Sequence, residues 1–174
     1  MNKEYLIKID EPRIQETCDA YFKWKDLNTY VKSLVSRGIN MPDAISEPMG
    51  CYCLNLLWNK SSGGDAMSQD GRKIEFKATS NYEYDLSSFG PKCDFDDLVF
   101  LRFDLDLNML FVYDTGVNSE EIKDIRVSKT ATFGDYQKQG KRPHIRIIEL
   151  IIEKRKLEPT VTFDIRRGRI VKKV

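Results

Sequence analysis

The clearest pattern in the sequence is a strict alternation of apolar and polar residues over positions 73–80, "KIEFKATS". Ile74 and Phe76 fall on one face of an extended chain, and Glu75 and Lys77 fall on the other. This period of two predicts a β-strand with one face in the core. The preceding "QDGR" is typical of a turn.

Two helices are predicted ahead of this strand. Apolar residues recur at spacings of three and four over positions 12–37, and Gly38 is a suitable stop. The apolar positions of this helix are Tyr21, Trp24, Leu27, Val31, Leu34 and Val35. A second helix is predicted over positions 43–59, with Pro48 as an alternative start because proline suits a first helical turn. Both Trp24 and Trp58 are interpreted as core residues.

The remaining pattern predicts further strands, a helix and an exposed loop. Two strands are predicted over 97–105 and 109–114, and a hairpin turning at "RRGR" is predicted near the carboxyl end. The apolar stretch 145–158 is long enough to favour a helix, whereas the polar and basic stretch 127–144 is typical of an exposed loop. Together these elements predict a single α/β domain over residues 1–174, with a central mixed β-sheet flanked by helices.

Composition restricts the class of protein. Apolar residues make up 41% of the chain and charged residues 32%, which is typical of a globular protein. No apolar run approaches the roughly 20 residues that a transmembrane helix needs. The amino-terminal "MNKEYLIKIDEP" lacks the apolar core of a signal peptide. We therefore expect a cytoplasmic protein without membrane association.

The net charge of +1 conceals an asymmetry along the chain. Residues 94–124 hold nine acidic and two basic side chains, whereas residues 138–174 hold twelve basic and four acidic ones. Because electrostatic steering depends on the local field, a nearly neutral total is compatible with a nucleic-acid partner.

Cysteine and histidine provide little chemistry in this sequence. Cys51 and Cys53 form a C-x-C pair but no C-x-x-C pair occurs, so a zinc site has weak support and the cysteines are interpreted as reduced thiols. His144 is the single histidine, which leaves little material for a Ser-His triad or a His-based metal site.

The polar face of the 73–80 strand carries the candidate chemistry. A loop containing "GGD" precedes the strand and brings Asp65 back towards Glu75 and Lys77. Two close carboxylates repel unless a cation intervenes, and Mg²⁺ prefers one or two carboxylates together with water and phosphate oxygens. With a lysine to orient the attacking water, this set suffices for metal-assisted phosphodiester hydrolysis. The alternative is a solvated strand face with a surface ion pair worth under about 1 kcal/mol.

The arrangement resembles a known nuclease superfamily. Asp65, the run Glu75-Phe76-Lys77 and a preceding helix that carries Glu47 resemble the PD-(D/E)xK motif, over roughly residues 47–80. The small size resembles type II restriction endonucleases. The segments "TFGDYQKQGKRPHIRI" and "TFDIRRG" are similar to small endonucleases that cut the interrupted site GCNGC, a resemblance that extends over most of the chain.

This resemblance implies a role for each motif residue. Asp65 and Glu75 would be metal ligands, Lys77 the catalytic lysine, and Glu47 a helix carboxylate that assists the metal site. The cofactor would be Mg²⁺, and cleavage would leave 5′-phosphate and 3′-hydroxyl ends. A cognate DNA methyltransferase would protect host DNA as a functional rather than a physical partner.

At two positions the match to the superfamily motif is not unique or not complete. Gly64 stands where the superfamily name has proline. Asp70 is the rival of Asp65 as first metal ligand, although its place in the turn "QDGR" favours a structural role.

A basic segment near the carboxyl end provides candidate DNA contacts. Arginine commonly binds guanine O6 and N7, so Arg142 or Arg146 would suit a GC-rich site. Lys138 and Lys141 are candidates for phosphate contacts. Further candidates are Gln137 and His144 in the same segment, and Arg166 and Arg167 on the predicted hairpin turn. The alternative is a solvated loop.

Three functions remain open from the sequence. The leading one is a Mg²⁺-dependent type II restriction enzyme that cuts double-stranded DNA at a short GC-rich palindrome such as GCNGC. A palindrome read by identical subunits predicts a two-fold homodimer. The alternatives are a structure-specific nuclease of resolvase or repair type and a noncatalytic DNA-binding module.

Overall fold

A computed structural model describes residues 5–61 and 64–174 of the chain. Residues 1–4, at the start of the amino-terminal segment, and residues 62–63, in the predicted "GGD" loop, lie outside the described residues. In the part that is described, no helix is long and apolar enough to cross a membrane. The single domain over residues 1–174 stays a prediction.

An eight-stranded mixed sheet runs through the molecule. The strands are β1 (Leu6–Lys8), β2 (Leu57–Asn59), β3 (Ala66–Met67), β4 (Lys73–Thr79), β5 (Ser87–Ser88), β6 (Asp97–Asp104), β7 (Met109–Asp114), β8 (His144–Ile145), β9 (Val161–Asp164) and β10 (Arg169–Lys173). The sheet order is β1-β2-β3-β4-β6-β7-β9-β10, and β5 and β8 pair separately as a two-stranded ribbon. The pair β4–β6 is parallel, whereas the other named strand pairs are antiparallel.

Helices cover both faces of this sheet. They are α1 (Glu11–Leu34), α2 (Asp43–Leu54), α3 (Phe133–Lys138), a 3₁₀ helix (Glu121–Asp124) and a π-helix (Ile148–Glu153). Alternate residues of β6 point to opposite sides, because Leu101 joins the core beneath α1 and α2, whereas Phe100 joins the core that includes α3 and the π-helix. The predicted α/β class, with a central mixed sheet flanked by helices, is confirmed.

The first helix is shorter than predicted and its final turns are exposed. It begins after Asp10, whose carboxylate accepts the Arg13 N–H at 3.0 Å. It ends at Leu34, and Gly38 lies so close to α1 that an added Cβ would clash with Asn28 Oδ1. The predicted apolar stripe is wrong over these final turns, because Leu34 is 66% exposed.

The second helix was predicted too long. It begins at Asp43 rather than at Pro48 and ends at Leu54. Asn55 adopts a left-handed conformation with φ 56°, which stops the helix. The chain then enters β2, so Trp58 lies on a strand.

The predicted loop at 127–144 contains a short helix that the polarity of the segment concealed. Thr132 and Asp135 form a capping box at the start of α3, and Phe133 is fully buried. The segment is therefore anchored to the core rather than being an exposed loop throughout.

The carboxyl-terminal hairpin is confirmed as β9 and β10. Its turn contains Gly168, whose φ of 60° is a conformation that glycine adopts readily. β10 forms one edge of the sheet and exposes Lys172 and Lys173, while the three-residue β1 forms the other edge.

Candidate active site

The site is built where β3 stops pairing with β4. Ala66 lies opposite Ile74 in the antiparallel register, and the Asp65 N–H donates to the Ile74 carbonyl at 3.3 Å. Further along β4, the backbone N–H of Phe76 donates to Asp65 Oδ2 at 2.7 Å. The Asp65 carboxylate thus takes the place of a strand partner, which fixes it beside Glu75.

The residue before Asp65 explains the departure from the superfamily motif. Gly64 has a φ of 112°, and its carbonyl accepts a hydrogen bond from Asn59 Nδ2 at 2.7 Å. Proline is restricted to a φ near −65° and cannot adopt this conformation. Glycine at position 64 therefore follows from the backbone that presents Asp65.

Glu75 and Lys77 lie side by side on the outer face of β4. Lys77 Nζ is 2.6 Å from Glu75 Oε1, and the two side chains are 20% and 17% exposed respectively. Phe76, between them, points into the opposite core. This largely covered pair differs from the solvated ion pair that was the alternative interpretation.

An aromatic ring lies beneath the lysine. Lys77 Nζ is 4.9 Å from the centroid of Phe89, which is fully buried. Phe89 in turn packs edge-on against Phe133 at 5.2 Å and at a tilt against Phe95 at 6.2 Å between ring centroids. The lysine is therefore held by a carboxylate and by an aromatic face.

Glu47 reaches the site from α2. Gly50 allows α2 to approach β4 closely, since an added Cβ would lie 2.7 Å from Phe76 Cε1. Trp58 Nε1 donates to Glu47 Oε2 at 2.8 Å. Trp58, which the sequence pattern placed in the core, is half-buried and orients this carboxylate.

The carboxyl groups share a strongly negative, poorly hydrated environment. Burial and then the charge of Asp65 raise the pKa of Glu47 to about 8. Burial and then the charge of Glu75 raise the pKa of Asp65 to about 6, against the lowering effects of the Phe76 N–H and Lys77. A cation placed among these groups would relieve the repulsion.

The acids fit a magnesium ion by their chemistry and number. No group of three acidic, histidine or cysteine side chains in the described ranges is gathered as a metal site. Mg²⁺ needs only one or two protein carboxylates, with water and substrate phosphate completing its shell, and Asp65 and Glu75 satisfy that need. Asp70 is exposed in its turn, where it accepts a hydrogen bond from Ser68 Oγ at 2.5 Å, so its contacts are those of a turn residue.

An open cleft adjoins this cluster. It has a volume of about 790 Å³ and lies between the start of α2, the end of β4 and the β5–β8 ribbon. Lys77 and Arg142 both line it, and Arg142 Nε donates to Ser88 Oγ at 3.2 Å. Arg142 is therefore the predicted DNA contact that shares a cavity with the predicted catalytic lysine.

Other predicted DNA contacts face different surroundings. Gln137 Nε2 donates to Cys93 Sγ at 3.5 Å, and Gln137 and Lys138 line a separate cavity of about 580 Å³. Lys141 is exposed, with its ammonium 5.9 Å from the centroid of Tyr136.

His144 and Arg146 follow on and just beyond β8, and both are exposed. Arg146 Nη1 is 2.6 Å from Glu149 Oε2, and its guanidinium lies 5.8 Å from the centroid of Tyr84.

Arg166 and Arg167 lie next to α1 rather than beside the cleft. The Arg166 guanidinium is 5.6 Å from the centroid of Phe22, and Arg167 Nε is 3.6 Å from Asp164 Oδ2. Neither residue lines the cavity that contains Lys77.

Comparison with known proteins decides the identity of the chain. The family model described as Bsp6I restriction endonuclease matches residues 9–154. The chain belongs to the Bsp6I restriction endonuclease family. The type II restriction enzyme Bsp6I of Bacillus sp. (strain RFL6) is 42% identical over 168 residues, which cover 96% of this chain and 97% of that relative.

Membership of the Bsp6I family confirms the resemblance to type II restriction endonucleases. This Bsp6I-family chain is a site-specific endonuclease, a hydrolase that acts on DNA. The match favours this function over a structure-specific nuclease or a noncatalytic DNA-binding module. The matched range includes the acidic cluster (Glu47, Asp65 and Glu75) and the basic segment (residues 137–146). Arg166 and Arg167 lie beyond it.

Two contributors to this Bsp6I-family site were not found from the sequence. Trp58 gave no signal, because nothing in the local pattern distinguishes an indole that donates to Glu47 from a core tryptophan. Phe89 lies 12 positions beyond Lys77 in a stretch without clear periodicity. The Thr132-x-x-Asp135 spacing was a usable sign of α3, and hence of the helix that places Gln137.

Proposed function

We propose that this Bsp6I-family enzyme uses Mg²⁺ to cut both strands of DNA at a short GC-rich palindrome, with GCNGC as the candidate site. The observation that carries the proposal is the assembly of Asp65, Glu75 and Lys77 at the middle of β4, with Lys77 lining an open cleft. Family membership supplies the reaction class, and the acidic cluster supplies a place for the cation.

Each protein group has a role that follows from its contacts. Asp65 and Glu75 would hold the cation, with Glu47 assisting. The Phe76 N–H orients the Asp65 carboxylate, the Trp58 indole N–H orients that of Glu47, and the Lys77 ammonium contacts that of Glu75. Mg²⁺ bound there would supply a Lewis acid for the scissile phosphate. The Lys77 ammonium orients the attacking water and offsets the charge that develops on the phosphate.

The products follow from the bond that breaks. The oxygen of a water molecule bonds to phosphorus, and the bond from phosphorus to the 3′-oxygen breaks. The leaving oxygen takes a proton, so the ends are 3′-hydroxyl and 5′-phosphate.

A palindromic site has two identical half-sites. One chain contributes one such catalytic cluster among its described residues, so two copies would supply one cluster for each strand. A two-fold homodimer would place an identical set of contacts on each half-site. Arg142, beside Lys77 in the cleft, is the first candidate for a guanine contact, and Lys138, Lys141, Gln137, His144 and Arg146 are further candidates.

The biological setting follows from the reaction. An enzyme that cuts unprotected DNA would act in the cytoplasm alongside a methyltransferase that modifies the same motif in host DNA. The two proteins would share a recognition sequence and need no direct contact.

Digestion of a sequenced, unmethylated plasmid tests the proposal. With Mg²⁺, discrete fragments whose ends share one motif are expected, and an EDTA control is expected to stay intact. Fragment ends without a common motif, or equal cleavage in EDTA, would contradict it.

Replacement of the lysine tests the assigned chemistry. Lys77→Ala should lower the cleavage rate by at least ~100-fold, because both water orientation and charge stabilisation are lost, while the DNA affinity changes little. Lys73→Ala, on the same strand face, is the control and should cleave normally. Cleavage by Lys77→Ala at the wild-type rate would remove this mechanism.

A further inference from the structure

The β5–β8 ribbon presents one continuous outward face beside the catalytic cleft. Ser87 and Ile145 are paired and buried, whereas Ser88 and His144 are paired on the outer side. Arg142 reaches this face through its hydrogen bond to Ser88. Because strand side chains alternate, the next outward position before β5 is that of Leu86.

Leu86 is unusually exposed for a large apolar residue next to a cleft. It is 58% exposed, and Tyr84, two residues earlier, is 48% exposed. Both lie at the crest between two cavities, since both line the catalytic cleft of about 790 Å³ and a neighbouring cavity of about 330 Å³.

The crest is held rigidly from below. Asp85, between the two exposed side chains, is 4% exposed. Its carboxylate accepts the N–H groups of Ile147 and Ile148, each at 2.9 Å. The same carboxylate accepts the Ser87 hydroxyl at 2.9 Å. The outward direction of Leu86 is therefore fixed by buried hydrogen bonds.

Cationic side chains lie on both sides of the crest. The catalytic cleft contains Lys77 and Arg142 together with Asp43 and Asp85, and the neighbouring cavity contains Arg126 and Arg146 together with Glu149. Arg146 is paired with Glu149, whereas Arg126 is exposed and its side chain forms no ion pair with the residues of ranges 5–61 and 64–174.

A third cavity marks a boundary of this surface. It borders Tyr84, and its lining combines one arginine, Arg146, with four acidic residues, Glu83, Asp85, Glu149 and Glu153. Acidic side chains outnumber the single arginine there, so a polyanion would be less favoured over this cavity than over the other two, in which acids do not outnumber arginine and lysine.

We propose that the outward face of the β5–β8 ribbon docks against duplex DNA, with Leu86 as its apolar contact and Arg126 as a phosphate contact beyond it. A DNA major groove admits a two-stranded β-ribbon, and apolar side chains contact bases there. Covering Leu86 with DNA removes apolar surface from water while Arg142 and Arg126 neutralise phosphates on either side. The inference deepens the proposed function and rests on its DNA substrate, but not on the roles of Asp65, Glu75 or Lys77.

Binding measured in EDTA at low salt, where the DNA stays intact, tests the apolar contact. The probe is a short duplex containing GCNGC. Leu86→Ala should raise the Kd about 10-fold because the variant forfeits the burial of a leucine side chain. Leu107→Ala is the control, because Leu107 is 65% exposed at the β6–β7 turn, away from both cavities.

A conservative variant separates contact from folding. Leu86→Met keeps the apolar volume and should bind within about 3-fold of wild type. A Kd for Leu86→Ala within twofold of wild type would overturn the proposal, and so would equal losses in Leu86→Ala and Leu107→Ala.

The arginine has its own readout. Arg126→Ala should reduce the slope of log Kd against log salt by about 1, the change expected for one lost phosphate contact. An unchanged slope would overturn the assignment of Arg126. Wild-type cleavage with Mg²⁺ is scored separately, so a protein that binds through Leu86 but never cuts would refute the proposed function and leave this surface intact.

Discussion

The acidic cluster around Glu75 and the basic segment 137–146 differ in how distance along the sequence relates to distance in the structure. Glu75 and Lys77 are two residues apart on β4 and remain in contact at 2.6 Å. Lys138 and Arg142 are four residues apart, yet they line different cavities. A strand preserves its period, whereas Lys138 ends α3 and Arg142 precedes β8, with a turn at Gly140, where φ is 67°, between them. Clusters of charge in a sequence therefore predict a shared site only when one regular element carries them.

The largest expected effect concerns the acidic cluster and its pKa values. Folding raises the pKa of Glu47 from 4.5 to about 8 and that of Asp65 from 3.8 to about 6. At a pH between the unfolded and the folded pKa of each residue, the folded state retains a proton that the unfolded chain has released. In EDTA, the free energy of unfolding should therefore fall as pH rises from about 4.5 to about 8.

Glu47→Gln should remove most of that pH dependence. The amide still accepts from Trp58 but carries no charge, so at pH 8 in EDTA the variant should be roughly 2 to 4 kcal/mol more stable than wild type. Denaturant unfolding across this pH range is the measurement. Asp26→Asn, which neutralises an exposed carboxylate on α1, is the control and should follow wild type. A wild-type stability that rises over this range would refute the assignment.

The second effect concerns the dispersed basic residues. Arg142→Ala should weaken binding to a cognate duplex by about 10-fold or more, since one specific base contact contributes ~1–3 kcal/mol. Arg166→Ala should stay within twofold, because Arg166 packs on Phe22 beside α1. Titrations of both variants in EDTA compare them directly. Equal losses of affinity would show that the two arginines share one DNA surface, and would contradict the separation of Arg166 from the cleft.

The smallest effect concerns the ring beneath the lysine. Phe89→Leu removes the aromatic face 4.9 Å from Lys77 Nζ and should slow single-turnover cleavage by roughly 3- to 10-fold with little change in Kd. Phe95→Leu, a buried ring of the same core, should cost similar stability without slowing cleavage. If both variants slowed cleavage equally, the ring would matter only for packing.

Much of the site's location could be predicted from local rules. The alternation over positions 73–80 placed Glu75 and Lys77 on one face, and the loop glycines allowed Asp65 to return to it. Both placements are found in the structure, although the chemical roles of these residues stay predictions. Gly64 departs from the proline of the superfamily motif because the backbone there has a φ of 112°, which proline cannot adopt.

Other features depend on long-range contacts that a period cannot encode. Leu27 and Leu34 have the spacing of an apolar stripe, yet both are exposed, whereas the polar Asn28 beside Leu27 is buried. Gly50 lets α2 approach β4, and Glu47 on this helix contacts Trp58. The spacing of residues in the sequence does not predict how closely a helix approaches a strand. The polarity of the basic segment predicts one exposed group, whereas the capping box at Thr132 begins a helix that anchors part of it.

The two ends of the sheet bear on how copies of the chain can meet. β1 has three residues, and β10 exposes Lys172 and Lys173. Short edges and edge lysines disfavour strand addition, because a neighbouring strand would have little to pair with or would bury charge. Concentrated solutions of the protein should thus resist growth into β-fibrils, and any ordered pairing of subunits is directed to helices and loops instead of the sheet margins.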